Sequence, residues 1–365
     1  MSACRSPDVY SSLPLNSEET DNSRSAEDLT HKEWTRIMKS HSESSELLHR
    51  LSVLGSLSTN TSNVDFISLF DIMSNLNFVP LDMAQIENVE RFVLFIGYPR
   101  SGHSIIGTMM DSHPNMVIAN EFPLTRSLMS PALRNTVTKQ GLFNALYLNS
   151  RAEMVYGERG EDGLERKGYL LTMNSSWQGN FSKLRIIGNK EGGATSKHYH
   201  AHPSEVISAY KWLQNEIGIP IHVLHVVRNP YDMVATHTLY VAGDNGHKYN
   251  ASKTKKLNKP LLVEEVIKQF FFRAKAVASM IQVLNLTVLQ LRHEDMVNKP
   301  KHTISQVCNF LQVDCSEDYL EACTAKTYRT VSKTRNLVMW TKHLRDRIDS
   351  GIKQFYFFNK YTFYS

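Results

Sequence analysis

The feature that most constrains this chain is the seven-residue run Arg91–Gly97, RFVLFIG, which has no polar side chain after its first position. A strand so apolar must be covered on both faces, as central strands of parallel sheets are, whereas an antiparallel hairpin usually keeps one wet face. The run passes directly into Tyr98-Pro-Arg-Ser-Gly-His-Ser104 and then into a helical pattern, IIGTMMDSH. Three further strands are expected: 183–188 (KLRIIG), closing on Asn189 and Lys190; Ile221–Val227 (IHVLHVV), closing on Arg228 and Asn229; and 286–291 (LTVLQL). Apolar residues at helical spacing over 263–284 separate the last two. This alternation predicts an α/β fold, a central parallel sheet flanked by helices. In such sheets ligands gather at the carboxyl ends of the strands, where polar residues follow three of these four runs.

Of the 365 residues, 41% are hydrophobic and 21% charged, enough for a sizeable core and incompatible with wholesale disorder, a collagen-like fibre or a coiled coil. No stretch approaches the ~18 consecutive apolar residues of a membrane span. The opening MSACRSPDVYSSLPLNSEET lacks the basic-then-apolar order of a signal peptide, so a soluble cytoplasmic protein is the default expectation. The formal charge of +5 mildly favours anionic ligands, but its cations are scattered, which argues against nucleic acid. Residues 1–30 read as a disordered polar lead-in, 31–90 as a helical extension with one or two amphipathic helices over 29–57, and 91–345 as a single α/β domain. The aromatic tail 346–365 reads as packed on that domain or as a subunit contact, which would suit a homodimer. Cys308, Cys315 and Cys323 lack zinc-like spacing and are expected as reduced core thiols, and no metal site is expected. Five Asn-x-Ser/Thr sequons, at Asn60, Asn174, Asn180, Asn250 and Asn285, would matter only in a secretory compartment.

The loop from Gly97 to Ser104 has the spacing of a phosphate-binding G-x-x-x-x-G-K-[ST] loop, with His103 in place of the lysine. Glycines let backbone N–H groups converge on an anion at a helix N-terminus, where the helix dipole also favours negative charge. The missing lysine argues against nucleoside triphosphate hydrolysis, and a cation is instead supplied three residues earlier by Arg100. At the end of the third run, Arg228-Asn-Pro-Tyr-Asp-Met-Val-Ala-Thr236 offers a guanidinium suited to bidentate phosphate pairing, then a hydroxyl eight residues on.

Together these motifs resemble the P-loop-type sulfotransferases, which use 3′-phosphoadenosine 5′-phosphosulfate (PAPS). Their 5′-phosphosulfate loop commonly reads Y-P-[KR]-S-G-[TS]-[TS], and their 3′-phosphate segment is R-[ND]-P-x-[DR] with a later hydroxyl. The resemblance spans residues 91–340 and makes 91–345 a sulfotransferase domain of P-loop NTPase-like fold. It implies that Arg100, Ser101, Gly102, His103, Ser104, Arg228 and Thr236 bind the co-substrate, joined by Lys333 and Arg335 from a late loop. His103 departs from the pattern, although an imidazole can still donate a hydrogen bond to phosphate. The stretch Arg292-His-Glu-Asp-Met is similar to a family segment that is mainly structural, so Glu294 and Asp295 read as capping and ion-pair residues.

A hydroxyl acceptor needs a general base, and the leaving oxygen needs a cation. The cytosolic small-molecule branch carries a His two residues after the strand-end lysine, and here Gly192 stands in that place. The tyrosylprotein branch instead places a Glu after P-R-S-G-T-T and L-D-A-H-P, an order matched by Arg100, Asp111 and Glu121. By that resemblance Glu121 is the base, with Glu191 in reserve, Lys190 stands near the transferred group, Arg100 shares the sulfuryl charge, and His113 packs. The resulting expectation is sulfuryl transfer from PAPS to a glycan, tyrosine or small-alcohol hydroxyl. A non-catalytic adenosine-phosphate-binding protein and a P-loop nucleotide kinase are the alternatives. Relatives with a Glu base often work in the Golgi lumen behind an N-terminal anchor, which is the alternative location.

Overall fold

The computed structural model describes residues 47, 73–74, 76–156, 159, 171–173, 177–243, 249–252 and 254–365. The polar lead-in, nearly all of the helical reading over 29–57, Cys4 and the charged stretch 157–163 apart from Arg159 lie outside them. Five parallel strands form one sheet in the order β2-β3-β1-β4-β5. They are β1 (Arg91–Gly97), β2 (Met116–Asn120), β3 (Ile186–Lys190), β4 (Ile221–Val227) and β5 (Thr287–Arg292). The helices are α1 (Met83–Glu87), α2 (His103–Asp111), α3 (Leu124–Leu128), α4 (Pro131–Arg134), α5 (Lys139–Val155), α6 (Gly193–Ala201) and α7 (Pro203–Ile217), followed by α8 (Pro230–Val241), α9 (Pro260–Val283), α10 (His293–Asn298), α11 (Pro300–Leu311), α12 (Glu317–Lys326) and α13 (Lys342–Ile352).

The central strand is covered on both faces, as its composition requires. Phe92, Leu94 and Ile96 enter a core shared with α5, α7, α8, α9 and α13, and Val93 and Phe95 enter a second core with α2, α11 and α12. β4 divides in the same period-two manner, Val223 and Val227 to the first core and Leu224 and Val226 to the second. β1 runs from the sheet centre to the edge strand β2, while β4 lies on its other side, so chain connections diverge at the carboxyl end of β1. A crevice at such a point is where open α/β sheets bind ligands.

Three readings of the sequence are revised. β2 was not expected: MVIAN is only five residues long and follows Pro114-Asn115, yet it pairs with β3 from Met116↔Ile186 to Asn120↔Lys190. That pairing draws the polar pair Asn189-Lys190 into β3, whose ladder begins at Ile186 and not at 183. Helix α5 was also missed. Twelve of its seventeen residues are buried, and polar ones among them serve the core, so no apolar stripe stands out. Asn144 accepts from Leu81 N at 2.7 Å, Asn149 from Asn120 N at 2.7 Å, and Ser150 donates to Asp111 at 2.6 Å. Finally, Cys308 and Cys315 are joined as a disulfide, Cα atoms 6.1 Å apart, where reduced thiols were expected. The left-handed Gln312 (φ +54°) turns the chain after α11 and returns Cys315 to the helix, a reversal that spacing alone does not reveal. Cys323 stays a buried thiol, its pKa pushed up to about 12 by desolvation.

The aromatic tail joins the main core, with Phe355, Phe357, Phe358 and Tyr361 all buried. Phe358 and Phe270 pack on Tyr98 at ring-centroid distances of 5.4 and 5.3 Å, so the tail buttresses the loop that follows β1. Among the described residues, no helix is long and apolar enough to cross a membrane.

Candidate active site

The loop after β1 is curled by two left-handed residues, Arg100 (φ +68°) and Gly102 (φ +93°). Gly102 is the N-cap of α2 and supplies no side-chain cap, which leaves the first amides of a nine-residue helix for an external acceptor. A Cβ at Gly102 would lie 2.3 Å from His293 Nδ1, so only glycine permits this close approach to α10.

Glu121 follows β2 in a left-handed conformation (φ +51°), which turns its side chain back over the carboxyl end of β3. There Lys190 Nζ donates to Glu121 Oε1 at 2.6 Å and to Ser104 Oγ at 3.3 Å. His103 Nε2 lies 3.6 Å from the same Glu121 oxygen, and Nδ1 of that ring lies 2.9 Å from Ser101 Oγ. The Lys190 side chain is fully buried, whereas Glu121 keeps 44% of its side-chain surface exposed. Desolvation acts to raise the Glu121 pKa, but the Lys190 ammonium, with His103 second, outweighs it and holds the carboxyl at about 2. Burial is the largest single influence, and the charges and hydrogen bonds of Lys190 and His103 exceed it only together. Glu191 contrasts with it: burial pushes its pKa up to about 7 even though Thr125 N and Oγ1 donate to it at 3.1 and 2.8 Å. It faces α3 and α6 rather than the cleft.

The β4 segment reaches the same place. Arg228 Nη1 donates to the Arg100 carbonyl at 3.3 Å and Nη2 to Ser332 O at 2.7 Å, while its buried Nε has no hydrogen-bond partner among the described residues. Thr236 Oγ1 meets Thr334 Oγ1 at 2.7 Å, which ties α8 to the late loop. Arg100 itself rests on the Tyr240 ring, 4.0 Å from its centroid. Arg100, Ser101, Gly102, His103, Ser104, Glu121, Lys190 and Arg228 thus converge at the ends of β1 to β4. Lys333 is exposed beside them. Arg335 is placed otherwise: its guanidinium is buried against Asp232 at 3.2 Å and also donates to the carbonyl of Ser365. Glu294 is structural, accepting from Asn229 N at 2.8 Å and Tyr361 Oη at 2.7 Å. His113 accepts from Asn115 N at 3.1 Å, lies 3.0 Å from Asp314 O and packs edge-on against Tyr319.

Sequence reasoning missed the roles of Asp111, Arg159 and Gly192. Asp111 accepts from Ile118 N, Ser150 Oγ, Gly179 N and Arg159 Nη1, so it fixes β2 and thereby the position of Glu121. An aspartate ending an apolar helix was the available signal.

Fold and site define a parallel α/β protein whose central strand runs through a left-handed loop into an uncapped helix N-terminus. Residues 221–317, from β4 to the first residue of α12, match the family model described as Sulfotransferase family. No curated protein matches the chain. Similar solved structures include the sulfotransferase domain of the Synechococcus PCC 7002 olefin synthase, 15% identical, covering 73% of this chain and 95% of that one at a TM-score of 0.40. The sulfotransferase domain of the curacin biosynthetic pathway is 13% identical over 73% and 97%, at 0.40. Mouse sulfotransferase SULT7A1, complexed with PAP (3′-phosphoadenosine 5′-phosphate), is 12% identical over 74% and 88%, at 0.38.

Proposed function

We propose that this chain is an enzyme that transfers a sulfuryl group from PAPS to a hydroxyl acceptor, with Glu121 as general base. The observation that carries this reading is the chain Ser104–Lys190–Glu121 beside an uncapped helix N-terminus, which places a cation, a carboxylate and free amides in one cleft. The residues suit the donor: the orphaned Arg228 Nε is a buried guanidinium donor awaiting an anion, and the α2 amides form a second anion cradle. Arg228 and Thr236 would hold the 3′-phosphate, and the loop amides with Ser104 the 5′-phosphosulfate.

When bound, PAPS supplies an electrophilic sulfur joined to a phosphate leaving group. Glu121 accepts the proton of the acceptor hydroxyl as that oxygen bonds to sulfur. The bond between sulfur and the bridging oxygen breaks, and its electron pair stays on the phosphate, where Lys190 and Ser104 offset the charge. Arg100 leaves the Tyr240 ring to share the sulfuryl charge. Lys190 cannot serve Glu121 and the leaving oxygen equally. Its movement toward the donor would release Glu121 from the charge that holds its pKa near 2, making it a stronger base when the donor is in place.

Thermal stabilisation by PAP against ATP tests the donor site, and labelled PAPS offered to a phenol, an alkyl alcohol, a monosaccharide and a tyrosine peptide tests transfer. Preferential stabilisation by PAP and label on one acceptor class are expected. Equal stabilisation by ATP would defeat the donor assignment.

A further inference from the structure

The loop position that carries a hydroxyl residue in the resembled pattern holds an imidazole in contact with Ser101 and Glu121. His103 is buried, and its ring lies between Ser101 Oγ at 2.9 Å and Glu121 Oε1 at 3.6 Å. Ser101 Oγ is the partner of Nδ1, and with the hydroxyl as donor the ring proton lies on Nε2, the nitrogen on the side of the Glu121 carboxylate. The slot that receives the ring exists because residue 192 has no side chain: a Cβ on Gly192 would fall 2.5 Å from His103 Nε2 and 2.6 Å from Cε1. Gly192 is left-handed (φ +48°) and lies two residues beyond Lys190, so β3 contributes the cation while the loop after β1 contributes the imidazole.

We propose that His103 is a positioning residue for Glu121, a neutral Nε2–H imidazole that orients the carboxylate toward the acceptor and remains its partner when Lys190 turns to the donor. This rests on the reading of Glu121 as the base. Burial, with Lys190 and Arg100 next to the ring, lowers the His103 pKa, and Glu121 alone opposes them; Ser101 faces Nδ1. A neutral ring presents one N–H to the carboxylate without adding a competing positive charge.

The experiment combines histidine-ring nitrogen NMR with kinetics on the full chain, using labelled PAPS and the acceptor class found in the screen, and PAP for binding. The wild-type His103 ring is expected as the Nε2–H tautomer throughout the neutral range, and Glu121→Gln should shift its Nε2 resonance. His103→Ala should lower kcat by roughly 10- to 100-fold while PAP affinity stays within about two-fold, and His103→Gln, which retains an N–H donor, should recover most of the loss. Gly192→Ala, which displaces the ring without removing it, should reproduce the His103→Ala defect. If a variant unfolds, the tautomer and the response to Glu121→Gln still decide. A cationic or Nδ1–H ring, or a His103→Ala loss that appears wholly as weaker PAP binding, would overturn the inference. Full activity in Glu121→Gln would sink the base assignment itself, whereas an inactive Glu121→Gln beside a fully active His103→Ala would sink only the role of His103.

Discussion

Two carboxylate–cation pairs flank β2, and they differ in almost every respect. Asp111 and Arg159 meet at 2.5 Å with neither side chain exposed, and three further donors close around the aspartate. Glu121 and Lys190 meet at 2.6 Å with the lysine buried but the glutamate 44% exposed, on a left-handed backbone. The first pair is sealed on every side and holds β2 to α2 and α5. In the second, the glutamate alone is open to solvent. A buried ion pair is costly to break, and a half-open one can be exchanged. At β4 the two arginines differ in charge partner: Arg335 is paired with the Asp232 carboxylate, whereas Arg228 donates only to the carbonyls of Arg100 and Ser332.

The largest effect should come from the open pair. Glu121→Gln is expected to reduce kcat by about 10²- to 10⁴-fold, with PAP affinity by calorimetry nearly unchanged. Lys190→Met should cost about 10²- to 10³-fold in kcat through loss of leaving-group stabilisation, with little change in melting temperature. Asp111→Ala should behave oppositely. By leaving the Arg159 guanidinium buried and unpaired it should remove roughly 3–5 kcal/mol of stability in urea unfolding, while the folded fraction still binds PAP. A catalytic loss without destabilisation at Asp111 would erase the distinction between the two pairs.

Glu191 gives a third, pH-resolved test. Its folded pKa of about 7 lies above the unfolded carboxylate value, so the native state binds the extra proton. Its contribution is therefore fully favourable below pH ~4 and is lost as pH rises toward 7, by up to ~3 kcal/mol. Glu191→Gln should flatten that decline in a series of denaturation curves. Glu121 acts with the opposite sign: the stability it contributes is present above the unfolded value and lost as pH falls toward 2. The smallest effect should come from Cys308→Ser, which opens a loop seven residues long and should cost about 2 kcal/mol.

Much of the site was legible because its residues sit at fixed offsets from recognisable strand ends. Arg100, Ser104, Lys190 and Arg228 each follow an apolar run closely enough that the strand direction places them. β2 was not legible, since five residues after a turn carry little periodic signal and its pairing with β3 is a long-range choice. Arg335 illustrates the same limit: a basic residue in a late loop reads as a phosphate ligand until the fold brings Asp232 and the C-terminal carbonyl to it.

By itself, then, the sequence determined the parallel α/β class, the glycine-containing loop after the central strand and the set of strand-end cations, because hydrophobic runs and short motifs are local properties of the chain. Only the tertiary structure decided which cations stay available, which carboxylate is open, and that the imidazole of His103 occupies the slot left by Gly192. Those outcomes depend on burial and on partners drawn from distant segments, and one residue type takes opposite roles according to whether its neighbours close around it or leave one side to the cleft.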